Sequence, residues 1–120
     1  TASAMGLRTV AIHSEADAAL PFVREADEAV LIGPPPPTES YLDVAKVLEA
    51  AKRSGAEAIH PGYGFLAESA DFAEAVIGAG LGWVGPAPDS IRSMGDKVSA
   101  RNLMSDAGVP VAPGTREPID

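Results

Sequence analysis

Four short apolar segments alternate with stretches of helical periodicity, and this alternation constrains the fold more than any other feature of the sequence. The segments are candidate strands because they are short, largely apolar and bounded by glycine, proline or polar residues. They cover residues 8–13, 29–32, 57–60 and 81–84. Strands that alternate with helices are typical of parallel βαβ units. The sequence therefore predicts an α/β fold with an open parallel sheet.

The intervening helices carry recognisable start and stop signals. Apolar residues recur at helical spacing over residues 41–52, with Ser40 as the expected N-cap and Gly55 just past the end. Ser69 and Asp96 are the expected N-caps of two later helices. Shorter helical segments are expected at residues 20–26 and 89–94.

Composition excludes several classes of partner. Seventeen acidic residues against nine basic ones give a formal net charge of −8, which argues against binding to nucleic acid or to an anionic membrane surface. The chain has no cysteine, so disulfides, thiolate metal sites and cysteine nucleophiles are excluded, and a cytoplasmic location fits. No apolar run approaches the roughly 20 residues of a membrane-spanning helix.

The residues that follow the third predicted strand are the first candidate site. Ligands of open α/β sheets bind beyond the carboxyl ends of the strands, and His-Pro-Gly-Tyr-Gly at residues 60–64 lies there. Gly62 and Gly64 permit close backbone approach, and Tyr63 offers a face for a flat ligand. The plainer interpretation is a tight turn with Tyr63 packed on the scaffold, and glycine motifs this short favour it.

Lys97 is the second candidate. It is expected in the first turn of a helix, where a cation runs against the helix dipole, so the ammonium and the backbone N–H groups could converge on a phosphate. The alternative is a solvated lysine compensated by Asp96 or Asp89, and the small size of dipole effects on exposed groups favours it. His13 and His60 follow different strands and lack metal-ligand spacing. Pattern alone therefore predicts an α/β ligand-binding scaffold and nothing more specific.

Two longer motifs support a more specific interpretation of the sequence. They are His-Pro-Gly-Tyr-Gly-Phe-Leu at residues 60–66 and Met-Gly-Asp-Lys at residues 94–97, in this order and spacing. With them the chain strongly resembles the N-terminal domain of biotin carboxylase, which precedes the ATP-grasp fold in biotin-dependent carboxylases. The resemblance covers almost the full chain. It implies a three-layer open parallel sheet of the pre-ATP-grasp, Rossmann-like kind, here lacking its first strand.

The resemblance also implies a chemistry. Biotin carboxylase is a ligase that uses ATP, Mg²⁺ or Mn²⁺ and bicarbonate to carboxylate biotin on a carrier protein. Lys97 matches the family lysine that contacts ATP, and Tyr63 and Gly64 match positions beside the biotin pocket. The metal-binding glutamates and the other catalytic residues of the family follow the part of the domain seen here, so we expect no catalytic residue and no metal ligand in this chain.

The same resemblance implies an organisation and a set of partners. Residues 1–95 are expected to form the N-terminal domain, incomplete at its start, and residues 96–120 to begin the connection to the ATP-grasp domain. We expect a fragment of a longer enzyme that is inactive alone. Its implied partners are bicarbonate, carrier-bound biotin, the remaining biotin carboxylase domains and a carboxyltransferase subunit, with an oligomer in the full enzyme.

Several alternatives stay open at this point. The preferred member is the alpha subunit of an acetyl-, propionyl- or other acyl-CoA carboxylase, while pyruvate carboxylase and urea carboxylase share the motifs. A non-catalytic module that binds a nucleotide or packs a carboxylase assembly is an alternative from another class. Another ATP-grasp ligase is the third, and the motif at residues 60–65 argues against it.

Overall fold

The structure is a computed structural model that describes residues 1–114. Strands and helices alternate in it as the apolar pattern predicts. The strands are β1 (Val10–Ser14), β2 (Glu28–Gly33), β3 (Ala58–Ile59) and β4 (Gly82–Trp83). The α-helices are α1 (Pro21–Glu25), α2 (Val44–Ser54), α3 (Ala70–Gly78), α4 (Pro88–Gly95) and α5 (Lys97–Asp106). Within the described residues, no helix is both long and apolar enough to cross a membrane.

The strands pair in parallel, which confirms the α/β class. β1 runs beside β2, with Val10 opposite Glu28 and a register shift between His13 and Ser14. β3 runs beside β4, with Ile59 opposite Trp83. The pairs form two separate two-stranded sheets rather than one continuous sheet. Strand pairing is a non-local property, which explains why the apolar pattern predicts the strands but not this separation.

One hydrophobic core joins the two sheets through α2 and α3. In β2 the side chains of Val30 and Ile32 are buried while Leu31 is exposed, which is the alternation of a strand with one covered face. The core cluster consists of Val30, Ile32, Val47, Ala50, Phe72 and Val76, and partly buried residues of β1, β3 and β4 pack against it. Phe72 also contacts the ring of Trp83 edge-on, with ring centroids 5.7 Å apart. The carboxyl ends of both sheets are thereby held on one scaffold.

Three of the predicted helix signals are confirmed. The Ser69 side chain accepts a hydrogen bond from the Phe72 N–H at the start of α3, and the Asp96 side chain accepts one from Ser99 at the start of α5. Gly55 ends α2 in the left-handed conformation, with φ at 67°.

The predicted start of α2 is wrong. The helix begins at Val44, and Asp43 rather than Ser40 is its N-cap, accepting from the Lys46 N–H at 3.1 Å. The Ser40 hydroxyl is fully buried and donates to the Pro36 carbonyl at 2.9 Å, so it faces the preceding loop. A carboxylate is also the stronger acceptor for an N–H at a helix start. Tyr41 therefore lies outside the helix.

Candidate active site at the carboxyl ends of the strands

The segment that follows β3, residues 60–65, forms the centre of the site; we refer to it as the 60–65 loop. Its first half is a tight turn in which the Gly62 N–H donates to Nδ1 of His60 at 3.0 Å. This bond leaves the proton of the neutral ring on Nε2. Gly62 and Gly64 have φ angles of 71° and 69°, and a Cβ at either position would meet nothing within 4 Å. Backbone conformation, not lack of space, therefore requires glycine at both positions.

Tyr63 stands between these glycines and is 96% exposed. The interpretation in which Tyr63 packs on the scaffold is therefore wrong. An aromatic ring in solvent at the carboxyl edge of a parallel sheet lies where ligands of α/β proteins bind. Gly64, beside it, is partly buried.

Phe65 closes the loop in a strained conformation. Its φ is 46°, and it is the single residue other than glycine with a positive φ in the described part of the chain. A bulky side chain in the left-handed region costs about 1 to 3 kcal/mol and persists where the surroundings hold it. The contact that meets it is the ring of Tyr41, stacked with an interplanar angle of 10° and a centroid distance of 6.1 Å.

Tyr41 is in turn fixed to the end of β1. Its hydroxyl donates to Oδ2 of Asp17 at 2.5 Å and accepts from the Ser14 N–H at 2.9 Å. The Ser14 hydroxyl donates to the same Asp17 oxygen at 2.9 Å. Hydrogen bonds from Tyr41 and Ser14 lower the pKa of Asp17, whereas burial and the bond to Asp17 raise the pKa of Tyr41. The carboxylate is thus ionised and the phenol protonated at neutral pH.

Sequence analysis missed this cluster of Ser14, Asp17, Tyr41 and Phe65. The helical spacing of the apolar residues placed Tyr41 on the apolar face of a helix that starts after Ser40. The signal that could have found it is Asp43, a second acceptor at N-cap spacing that moves the helix start past Tyr41.

Lys97 is the first residue of α5, and its side chain is exposed. Within residues 1–114 it forms no salt bridge, and Asp89, one of its expected counter-ions, pairs with Arg92 at 3.2 Å. The Asp96 carboxylate accepts from the Ser99 N–H at 2.7 Å, and hydrogen bonds from the Ser99 side chain and from its backbone N–H lower the pKa of Asp96. The cap therefore occupies a helix N–H group that the sequence interpretation offered to a phosphate. The ammonium of Lys97 is not engaged by this cap.

The candidate residues are not joined to each other in one network. No hydrogen bond or ion pair among the described residues connects Lys97 to Tyr63 or Gly64. His13 contacts the Ser14 carbonyl through Nδ1 at 2.9 Å, apart from His60. Within residues 1–114, no group of three or more His, Cys, Asp or Glu side chains is placed to hold a metal ion. The expected connection to an ATP-grasp domain falls partly on residues 115–120, which lie outside the described residues.

A parallel α/β scaffold with a glycine-flanked aromatic loop at its carboxyl edge is typical of α/β domains whose ligands bind beyond the carboxyl ends of the strands. The family "Biotin carboxylase, N-terminal domain" matches residues 1–91. The chain therefore belongs to the biotin carboxylase N-terminal domain family, as its motifs predicted.

Individual relatives agree with this assignment. The biotin-dependent acyl-coenzyme A carboxylase alpha3 subunit of Mycobacterium leprae is 58% identical over 113 residues, which are 94% of this chain and 19% of that protein. The biotin carboxylase of Pseudomonas aeruginosa is 54% identical over 115 residues, 96% of this chain and 26% of that protein. The chain thus spans about a fifth to a quarter of the length of these relatives.

Solved structures share the fold. A biotin carboxylase–beta-gamma-ATP complex from Campylobacter jejuni superposes with a TM-score of 0.87 at 36% identity, covering 96% of this chain and 26% of that one. A single-chain, multi-domain long-chain acyl-CoA carboxylase gives a TM-score of 0.88 at 41% identity, covering 99% of this chain and 12% of that one.

Proposed function

We propose that this chain supplies the N-terminal domain of a biotin carboxylase, the ligase that uses ATP and bicarbonate to carboxylate biotin on a carrier protein. The observation that supports it most is the family match over residues 1–91, together with relatives more than half identical over nearly the whole chain. In this proposal residues 1–95 form the domain and residues 96–120 begin the connection to an ATP-grasp domain. The chain is inactive alone.

Lys97 has the role of an ATP-binding residue in this proposal. Its exposed ammonium, without a salt bridge in the described part of the chain, fits an anionic phosphate group. ATP supplies the phosphoryl group that activates bicarbonate, with a divalent cation held by residues outside this chain. What Lys97 itself does is hold the nucleotide by charge.

The test uses the full-length carboxylase, meaning a polypeptide that carries these residues ahead of the remaining biotin carboxylase domains. Biotin-dependent ATP cleavage is measured for wild type, for Lys97→Ala and for Lys52→Ala, a matched control that removes an exposed lysine of α2. Losing a hydrogen bond to a charged group costs about 1.5 to 3 kcal/mol, so the KM for ATP should rise about 10-fold or more in Lys97→Ala only. Wild-type kinetics in Lys97→Ala would reject the role of Lys97. Full-length protein without biotin-dependent turnover would instead favour a non-catalytic module.

Tyr63 and Gly64 have the role of biotin-pocket residues that shape the space around the ureido ring without transferring a proton. The exposure of Tyr63 and the left-handed backbone on both sides of it support this role. Tyr63→Ala should raise the KM for free biotin and leave the KM for ATP unchanged. An unchanged KM for biotin would reject the assignment.

The final acceptor of the carboxyl group is proposed to be an acyl-CoA, because the Mycobacterium leprae relative at 58% identity is named as a subunit of an acyl-coenzyme A carboxylase. In this proposal the transfer to the acyl-CoA takes place on a separate carboxyltransferase subunit. Structures titled as pyruvate carboxylase from Rhizobium etli and urea carboxylase from Kluyveromyces lactis are 45% and 42% identical. Carboxylation assays with acetyl-CoA, propionyl-CoA, pyruvate and urea distinguish these acceptors. A cytoplasmic location, proposed from the cysteine-free composition, is checked by cell fractionation.

A further inference from the structure

The position of Tyr63 in the 60–65 loop is not fixed by contacts of its own side chain. Tyr63 itself is 96% exposed, so no packing of its own ring fixes it. Glycines flank it on both sides, and neither offers a side chain to hold the backbone. The position of the ring must therefore be set by the two ends of the loop.

Both ends of the loop make specific contacts, and those at the second end include a hydrogen bond from the Ala67 N–H to the Gly64 carbonyl at 2.9 Å. At the first end, the Gly62 N–H bonds to His60, which is a contact within the loop. At the second end, Phe65 stacks on Tyr41, a residue 24 positions earlier in the chain, whose hydroxyl is held by Asp17 and the Ser14 N–H. The Tyr41–Phe65 stack connects the loop to the end of β1, because the Tyr41 hydroxyl is hydrogen-bonded to Ser14. Ser14 is the last residue of β1 and is 1% exposed.

The Tyr41–Phe65 stack also connects the two sheets, which share no backbone hydrogen bonds between their strands in the described part of the chain. β1 and β2 form one sheet, β3 and β4 another, and the 60–65 loop follows β3. The Tyr41–Phe65 stack links the carboxyl end of the first sheet to the loop of the second. The positive φ of Phe65 places the residue that makes this contact in a backbone conformation that bulky side chains rarely adopt.

We propose that Tyr41 is a positioning residue for the biotin-binding loop: its hydroxyl is anchored at the end of β1, and its ring holds Phe65 and thereby sets the place of Tyr63. This inference rests on the proposed function, in which Tyr63 lies beside biotin. Tyr41 does not touch the substrate. It acts through Phe65.

The experiment compares KM values for free biotin and for ATP in the full-length carboxylase. Tyr41→Leu removes both the stack and the hydroxyl, and Tyr41→Phe keeps the ring but removes the anchor. Leu48→Ala is the control, because it truncates a half-buried residue of α2 that packs on the core. An aromatic pair contributes free energy equivalent to about 2- to 10-fold in an equilibrium. We expect Tyr41→Leu to raise the KM for biotin by a factor in that range and to leave the KM for ATP within about twofold. Tyr41→Phe should lie between wild type and Tyr41→Leu.

The outcomes separate this inference from the proposed function. If Tyr63→Ala raises the KM for biotin but Tyr41→Leu does not, the positioning role is overturned and the proposed function stands. If Tyr63→Ala has no effect either, the biotin assignment itself fails. Leu48→Ala shows how a general loss of stability changes the KM values for biotin and for ATP. If Tyr41→Leu changes both KM values equally, the inference is also overturned. A biotin KM for Tyr41→Phe equal to that of wild type overturns the part assigned to the hydroxyl.

Discussion

Gly33, the last residue of β2, is the position where a single added methyl group should disturb the carboxyl edge of the fold most. A Cβ built on Gly33 would lie 2.3 Å from the carbonyl oxygen of Glu39. Ordinary van der Waals contact begins at 3.4 Å, so the pair would overlap by roughly 1 Å. The Glu39 carbonyl belongs to the backbone of a 3₁₀ turn, Pro37–Glu39, whose Glu39 N–H donates to the Pro36 carbonyl at 3.0 Å, so relieving the overlap requires the backbone to move.

The expected loss in the free energy of unfolding for Gly33→Ala is the sum of an overpacking cost and a backbone-strain cost. Overpacking costs about 1 to 3 kcal/mol, and the backbone at φ 154° is strained for any L side chain, which costs about 1 to 3 kcal/mol. Gly55→Ala is the matched control, since its φ is 67° but nothing lies within 4 Å of the added Cβ. Its expected cost is the left-handed conformation alone, about 1 to 2 kcal/mol. Both substitutions restrict the unfolded chain equally, so that effect cancels between them. We expect Gly33→Ala to lower the free energy of unfolding by at least about 1 kcal/mol more than Gly55→Ala.

Urea denaturation followed by tryptophan fluorescence measures both values. The chain has one tryptophan, Trp83, whose ring contacts Phe72 in the core, so its emission reports the loss of the packed state. A loss for Gly33→Ala no larger than that for Gly55→Ala would refute the reasoning. It would mean that the segment 34–39 yields to the methyl group at no cost.

Three further predictions concern the core, the Asp17 cluster and a helix cap. Phe72 is 1% exposed, so Phe72→Ala should lower the free energy of unfolding by about 3 to 5 kcal/mol, whereas Ile77→Ala, on the same helix but 51% exposed, should cost far less in the same urea titration. The hydrogen bonds to Asp17 lower its pKa in the fold, so its contribution to stability is present above about pH 4 and is lost as the pH falls through the lowered folded value. The stability difference between wild type and Asp17→Asn should therefore shrink between neutral pH and about pH 3, and a difference that grows in acid contradicts the sign. Ser69→Ala removes the N-cap of α3 and should cost about 1 kcal/mol by the same titration, restored in part by Ser69→Asp.

Local chemistry made much of the fold predictable from the sequence. Ser69 and Asp96 cap their helices because a side-chain oxygen before an apolar repeat has few better partners than the helix N–H groups. Gly55 ends α2 because only glycine adopts its conformation without strain. The division of four strands into two sheets was not predictable in this way, because it depends on which distant segments meet.

The candidate site was likewise predictable only where local sequence determines it. Residue types and spacing located the loop at residues 60–65, and the resemblance to the biotin carboxylase family singled out Tyr63 and Gly64 within it. The motif did not reveal that the Tyr63 ring is exposed, since two flanking glycines fit a packed turn as well as an open one. The N-terminal placement of Lys97 was predictable from Asp96, but the absence of a salt bridge within residues 1–114 depends on Asp89 pairing with Arg92 instead.

The predicted start of α2, which is three residues too early, coincides with the residue that we assign to positioning, and there is a physical reason for the coincidence. Had α2 begun at Ser40, as local propensity allows, Tyr41 would occupy the first helical turn. Helix α2 instead begins at Val44, with Asp43 as its N-cap. Tyr41 therefore lies where its hydroxyl donates to Asp17 and its ring stacks on Phe65. Sequences tend to depart from local rules where a function demands a particular geometry. Phe65, with its positive φ, departs from a local rule on the other side of the same contact. Tyr41 thus lies outside α2 because Asp43 caps the helix, and Phe65 adopts a positive φ where it stacks on Tyr41. A local capping signal on one side and a strained backbone on the other meet in the pair that we assign to positioning.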